Sequence, residues 1–319
     1  MRREIVSTVA MACSIVISQS VALLLAPFFI AAGATAFPDP NNAANPIIYV
    51  LLILAFTALI LFIVKKRREN ILKYIILGSM FLSMIFVFYI PALFGLYPFV
   101  GELAFNLALV LSLVISGILT FALFKYPEWY VVDAVGIAVA AGVTAIMGIS
   151  FTIFPTLILL ILLAVYDAIS VYKTKHMVTL ADAVAGENLP ILLVVPKRLD
   201  YSYKNQESIK KQISSGEERE AMFMGLGDMI IPGVLVVSAL ASNADKLSTL
   251  VFGIPGPLIV SIGTLIGGLA GFAVLMRFVM RGNPQAGLPL LNSGVIMGYF
   301  VTYYLVFQEL SFGIRLGWF

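Results

Sequence analysis

Two aspartates stand where hydrocarbon should be. Asp167 follows Tyr166 within the apolar run Phe151 to Tyr172. Asp228 closes Gly225-Leu226-Gly227-Asp228 within the apolar run Glu220 to Ala241, 61 residues downstream. Inserting one carboxylate at mid-helix in a bilayer costs on the order of 2.5–3.5 kcal/mol. A single such residue can serve as a polar helix-pairing group. Two in adjacent runs point to a shared aqueous pocket. Like charges about 3 Å apart cannot both ionise, so such a pair holds one proton and titrates as a unit. One member takes a proton from water and the other gives one to a carbonyl oxygen. This is general acid–base hydrolysis of an amide without a covalent intermediate. Gly225 and Gly227 carry no side chains and admit close backbone approach, although glycine is also ordinary in helix packing.

The other residues exclude alternatives. One cysteine, Cys13, leaves no internal disulfide or cysteine metal cluster. One histidine, His176, leaves no two-histidine zinc motif and is read as a surface residue in a basic stretch. No metal or cofactor is expected, and nothing suggests nucleic acid. Asp133, in an earlier apolar run, has no local motif and reads as an interfacial or helix-pairing residue. Glu102 reads as a boundary residue.

Elements must carry the two aspartates to one place. The 319 residues are 61% hydrophobic and 12% charged, with mean hydropathy +1.03; soluble domains carry about 25% charged residues. The chain reads as an all-α polytopic membrane protein. Spans of roughly 20 apolar residues are expected over about 5–32, 46–64, 71–97, 103–124, 129–149, 151–172, 220–241, 257–280 and 287–308, nine in all. Pro91 is expected to kink the third. The first follows Arg2 and Arg3 but is too long for a signal peptide.

With the N-terminus inside, the cytoplasmic segments hold Arg2, Arg3, Lys65, Lys66, Arg67, Arg68, Lys73, Lys125, Arg277, Arg281 and eight basic residues of the connection after the sixth span. That is 18 of the 20 Lys and Arg; only Lys246 and Arg315 lie outside. The positive-inside rule thus puts the N-terminus in the cytoplasm and the C-terminus outside. Asp167 then lies about six residues before Lys173 and Asp228 about eight after Glu220. At about 1.5 Å per residue, both are roughly 10 Å from the cytoplasmic surface. The expected organisation is a six-span bundle over 1–172 with Asp167, a cytoplasmic connection over 173–219, and a three-span bundle over 220–319 with Asp228. Ala34 to Asn45 reads as an exterior loop, and Tyr201 to Arg219 as disordered or protease-sensitive. Gly263, Gly267 and Gly271 form a small-residue ridge for close helix packing.

These motifs resemble a family. Tyr166-Asp167 and Gly225-Leu226-Gly227-Asp228 look like the signature pair of the presenilins and signal peptide peptidases. The third family signature is Pro-Ala-Leu at the start of the ninth span. Here Leu288-Pro289-Leu290-Leu291 matches its proline and final leucine, with Leu290 in place of alanine. Ala164 to Asp167 and on to Asn188-Leu189-Pro190 also reads like presenilin. Presenilins keep the N-terminus in the cytosol, whereas signal peptide peptidases are inverted, so the charge count selects the presenilin side. Without the long acidic extensions of animal presenilins, the chain is most similar to a compact archaeal homologue in a cell membrane. The resemblance implies an intramembrane aspartyl protease acting on transmembrane protein substrates, with Asp167 and Asp228 as the dyad. It places Leu288 to Leu291 beside them at the substrate, and implies inhibition by hydroxyl-bearing transition-state mimics. Animal presenilins need partner subunits and cut themselves between the catalytic spans. The sequence leaves open whether this chain does either, or oligomerises.

A substrate helix hides its peptide bonds and must unwind. Pro289 suggests irregular backbone over Leu288 to Leu291, with free backbone groups. Ile191 to Val195, between Pro190 and Pro196, is expected as an edge strand that pairs with the unwound substrate. The alternative, a proton- or cation-coupled transporter or channel using the same aspartates, is disfavoured by the lack of internal repeats. A catalytically dead scaffold is disfavoured by the intact pair.

Overall fold

The computed structural model describes residues 2–66, 69–174, 191–198, 201–203, 220–280 and 285–314. The first six helices are α1 (Arg2–Ala31), α2 (Ala44–Lys65), α3 (Glu69–Val100), α4 (Leu103–Lys125), α5 (Trp129–Ser150) and α6 (Ile153–Ile169). A turn of π-helix, Ser170–Thr174, extends α6. The strands β1 (Leu192–Pro196) and β2 (Ala221–Gly225) follow, then α7 (Leu226–Ala241). A hairpin of β3 (Leu250–Val251) and β4 (Ile254–Pro255) leads to α8 (Gly256–Val279) and α9 (Gly287–Phe307).

Among the described residues, eight helices are long and apolar enough to cross a membrane, and α7 is a shorter apolar helix. Their large side chains face outward freely, as in Leu107, Val110, Val114 and Phe121 of α4. In lipid such exposure costs nothing, so packing is left to small residues. α4 shows this: it buries Ala104, Ala108, Ser112 and Ser116, a small residue at every fourth position.

The seventh span departs from its expected form. Helix was expected from about Glu220, but Ala221–Gly225 is a strand and α7 begins at Leu226. The strand forms because a partner exists: β1 and β2 pair antiparallel, with Leu193 opposite Met224 and Val194 opposite Phe223. A single-sequence reading of Ala-Met-Phe-Met cannot see a partner 30 residues away. Asp228 therefore sits in the first turn of a helix rather than inside one, and its depth cannot be counted from Glu220 at a helical rise. Elsewhere Pro91 lies within α3, which runs on to Val100. His176 lies outside the described residues, as does most of Tyr201 to Arg219. Residues 201–203 are described and tied down: Ser202 Oγ donates to Glu128 Oε1 at 2.9 Å and the Tyr203 N–H to Glu128 Oε2 at 3.1 Å.

The chain forms two compact units, 1–15 with 56–143 and 177–226, and 16–55 with 144–176 and 227–319. In the first, a core of Leu72, Ile76, Met80 and Met84 from α3 and Val132, Val135 and Val139 from α5 also takes in Val194, Tyr203 and Ala221. In the second, α8 and α9 pack through glycine. A Cβ added at Gly267 would meet the Gly294 carbonyl and, at 2.7 Å, the Gly298 Cα; one at Gly271 would meet the Leu290 carbonyl. The ridge of Gly263, Gly267 and Gly271 thus has the packing role expected of it.

Candidate active site

Asp167 lies in the last turn of α6 and is 6% exposed. Beyond it the helix loosens into the π-turn, where Ser170 Oγ donates to the carbonyl oxygens of Tyr166 (2.6 Å) and Asp167 (3.2 Å). Asp228 lies in the first turn of α7 and is half-buried. Pro232 follows within α7 and has no N–H to offer the Asp228 carbonyl.

Buried polar bonds between helices set the two aspartates level. Thr156 Oγ1 of α6 meets Ser238 Oγ of α7 at 3.3 Å, and Ser238 Oγ donates to the Phe151 carbonyl at 2.8 Å. From that tie, Asp167 is 11 residues on along α6 and Asp228 is 10 residues back along α7. At 1.5 Å per residue these are about 16 and about 15 Å. The two aspartates thus lie at similar distances from that tie, measured along their own helices.

The start of α9 joins the two carboxyls. The Leu288 N–H donates to Asp167 Oδ2 at 3.0 Å. A Cβ added at the preceding Gly287 would lie 3.2–3.3 Å from the Oδ2, Cγ and Oδ1 atoms of Asp228. The dipeptide Gly287–Leu288 therefore touches both aspartates, and a side chain at 287 would require the Asp228 carboxyl to give by a few tenths of an ångström. α9 is pinned there from three sides. Asn292 Nδ2 donates to the Leu160 carbonyl of α6 at 2.8 Å. Gly271 of α8 receives the Leu290 carbonyl. Tyr172 Oη, on the π-turn, donates to Gln285 Oε1 at 2.8 Å and accepts the Ala286 N–H at 3.3 Å.

Leu288 to Leu291 is not irregular as expected: α9 is helical from Gly287. Proline is tolerated in a first turn because its missing N–H would have had no helical partner there. The free backbone group that Asp167 uses is a helix N-terminal N–H, not a product of disorder. Leu288, Pro289 and Leu290 are partly exposed, whereas Leu291 is 2% exposed and faces the packed side. Tyr166 is partly exposed on α6. Gly225 ends β2, and the Leu226 N–H continues the hairpin to the Ile191 carbonyl at 3.2 Å. A Cβ added at Gly227 would meet nothing within 4 Å among the described residues. That glycine leaves room beside Asp228 rather than admitting a packed helix.

Sequence reasoning missed Gly287, Tyr172 and Asn292. A glycine directly before Leu288-Pro289 was the available signal for the first. The others are tyrosine and asparagine at ordinary positions, and only the folded chain brings them to α9.

A family model described as signal-peptide peptidase, presenilin aspartyl protease matches residues 12–308. The solved structures that resemble the chain include two of this family. One is a presenilin family intramembrane aspartate protease in P2 space group: 34% identity, 93% of this chain and 97% of that chain covered, TM-score 0.64. The other is a presenilin family intramembrane aspartate protease in C222 space group: 33% identity, 93% and 99% covered, TM-score 0.66. No curated protein matches.

Proposed function

This chain belongs to the signal-peptide peptidase and presenilin family of aspartyl proteases, and we propose that Asp167 and Asp228 are its catalytic pair. The protein is an integral membrane, intramembrane aspartyl protease whose substrates are transmembrane proteins in a bilayer. Nothing in the family or the fold supports an ion-coupled transporter.

The observation that carries the assignment of the pair is the contact of both carboxyls with Gly287–Leu288. The oxygen that accepts the Leu288 N–H, Asp167 Oδ2, is committed as an acceptor. In the proposed reaction the ionised member takes a proton from water as the water oxygen bonds to the scissile carbonyl carbon. The protonated member gives its proton to the carbonyl oxygen. The tetrahedral diol then collapses: one hydroxyl returns its proton to the carboxylate that had donated, the C–N bond breaks, and the proton taken from water passes to the leaving nitrogen. The open side of Gly227 gives the substrate backbone its approach. Leu288, Pro289 and Leu290 form the substrate-facing turn, with Tyr166 beside the dyad, while Leu291 anchors that turn in the core.

Strand addition also takes a definite form. The expected donor edge was β1. Two of its outward groups are engaged: the Val194 N–H donates to Asp133 Oδ1 and the Pro196 carbonyl accepts Ser7 Oγ. The outer side of β2, where the register turns the backbone groups of Phe223 and Gly225 away from β1, is the edge we assign to an unwound substrate.

The orientation proposed from the basic residues places the N-terminus in the cytoplasm and the C-terminus outside the cell membrane. Functionally the chain divides into 1–172 and 220–319, each carrying one aspartate, joined by 173–219. Accessory subunits are not part of this proposal. The test is a hydroxyl-bearing peptide mimic of the tetrahedral diol, titrated against cleavage of a single-span reporter by the pure reconstituted protein. Inhibition that an analogue lacking the hydroxyl does not give is expected; equal potency of the two rejects the diol mechanism.

A further inference from the structure

Asp133 was read from sequence as a pairing residue without chemistry. It lies in the first turns of α5, and its Oδ1 accepts the Val194 N–H of β1 at 2.7 Å. The hairpin register explains why that N–H is free to leave the sheet. The Leu226 N–H reaches the Ile191 carbonyl and the Lys197 N–H reaches the Glu220 carbonyl at 2.8 Å. Odd-numbered β1 residues therefore bond across to β2, and even-numbered ones point away. Val194 is the centre of the outward edge, is 0% exposed, and would carry a buried, unpaired donor without Asp133.

Three residues further along α5, on the same face, stands Gly136. A Cβ there would lie 3.1 Å from Leu226 Cδ2 and 3.3 Å from Cδ1. Leu226 is the second residue of Gly225-Leu226-Gly227-Asp228 and the first of α7. One face of α5 thus grips the hairpin twice, by a hydrogen bond to β1 and by a seat for the side chain at which β2 becomes α7. Asp228 follows two residues later.

We propose that Asp133 is a positioning residue for the proteolytic reaction: with Gly136 it fixes the β1–β2 hairpin against α5 and so fixes where α7 begins and where Asp228 is presented. This rests on Asp228 being catalytic. The role asks only for an acceptor at Oδ1, which asparagine retains and leucine lacks. It asks for no proton transfer by Asp133.

The test uses the full chain, reconstituted with a single-span reporter, as wild type, Asp133→Asn, Asp133→Leu and Val194→Pro. Val194→Pro removes the same bond from its other end, and it costs no ladder bond because Val194 points away from β2. Amide hydrogen exchange of the peptide spanning Leu192 to Val195 is read beside kcat and KM. Asp133→Leu and Val194→Pro are each expected to lower kcat about tenfold or more, the scale of leaving a buried polar group unpaired, with KM within about twofold. Exchange over β1 should rise at least tenfold in both. Asp133→Asn should keep kcat within about threefold and exchange near wild type. The proposal is overturned if Asp133→Asn falls as far as Asp133→Leu, since then the charge and not the acceptor matters. It is overturned equally if exchange rises without a fall in kcat, or kcat falls without a rise in exchange. Asp228→Ala is run in parallel: activity surviving there removes the premise, while the exchange data still report whether Asp133 anchors β1.

Discussion

Asp167 and Leu288 are joined by a 3.0 Å hydrogen bond from the Leu288 N–H to Oδ2, and the residue before Leu288 lies against Asp228. The site is therefore organised by backbone: the first turn of α9 is wedged between two carboxyls. In this chain Leu288-Pro289-Leu290-Leu291 lies in the first turn of a helix that opens on Gly287.

Gly287→Ala tests the wedge. The new methyl would lie 3.2–3.3 Å from three atoms of the Asp228 carboxyl, closer than side chains ordinarily pack, so the carboxyl must move by a few tenths of an ångström. Misplacement of reacting groups by about 1 Å can cost about a hundredfold in rate. A fall in kcat of about tenfold is expected, with KM and thermal stability little changed. A variant with wild-type kcat would show that Asp228 is not confined there.

The glycine seam between α8 and α9 holds that first turn in place. Gly267→Val directs a side chain into the Gly294 carbonyl and the Gly298 backbone, where no flexible atom can yield. Overpacking of this kind costs about 1–3 kcal/mol. The expected outcome is a lower melting temperature and lost activity together. Gly117→Val on α4, where an added Cβ meets nothing within 4 Å among the described residues, should change neither.

A pH effect is expected in the segment that follows the hairpin strand β1. Burial, then the charges of Glu220 and Glu128, push the Tyr201 phenol above its ordinary 10.0. Burial, then Tyr201 and Asp133, do the same to Tyr203. A group whose folded pKa is raised contributes stability that is complete below its unfolded pKa and lost as pH rises through the folded one. Residues 201–203 should therefore loosen from Glu128 only above pH 10. Hydrogen exchange of this segment, compared between pH 8 and 11, should show it, and Tyr201→Phe/Tyr203→Phe should remove most of the difference.

Orientation is tested by single cysteines in a Cys13→Ser background. A membrane-impermeant maleimide applied to intact cells should label a cysteine at Lys246 and not one at Lys66. The reverse pattern would invert the chain and contradict the reading of 18 basic residues as cytoplasmic.

Much of this was legible in the sequence because lipid imposes a simple rule. Each span must be long and apolar, so α1 to α6, α8 and α9 end within a few residues of where composition puts them. Asp167 and Asp228 were legible because carboxylates are costly in such runs. The strand at Ala221–Gly225 was not, because it exists only through its pairing with Leu192–Pro196. The first turn of α9 was misread for a related reason: Pro289 signals a break when considered alone, and its tolerance depends on where the helix begins. Asp133 was underrated because its partner is a backbone N–H 61 residues away, and backbone groups leave no trace in residue identity.

The central claim is that Asp167 and Asp228 act as one catalytic pair. The most direct measurement is cleavage of a single-span reporter by the pure protein in liposomes, as wild type, Asp167→Ala and Asp228→Ala, with melting temperatures confirming that each variant is folded. The account predicts product from the wild type and none above background from either variant. Cleavage that survives either substitution in a folded protein would contradict it.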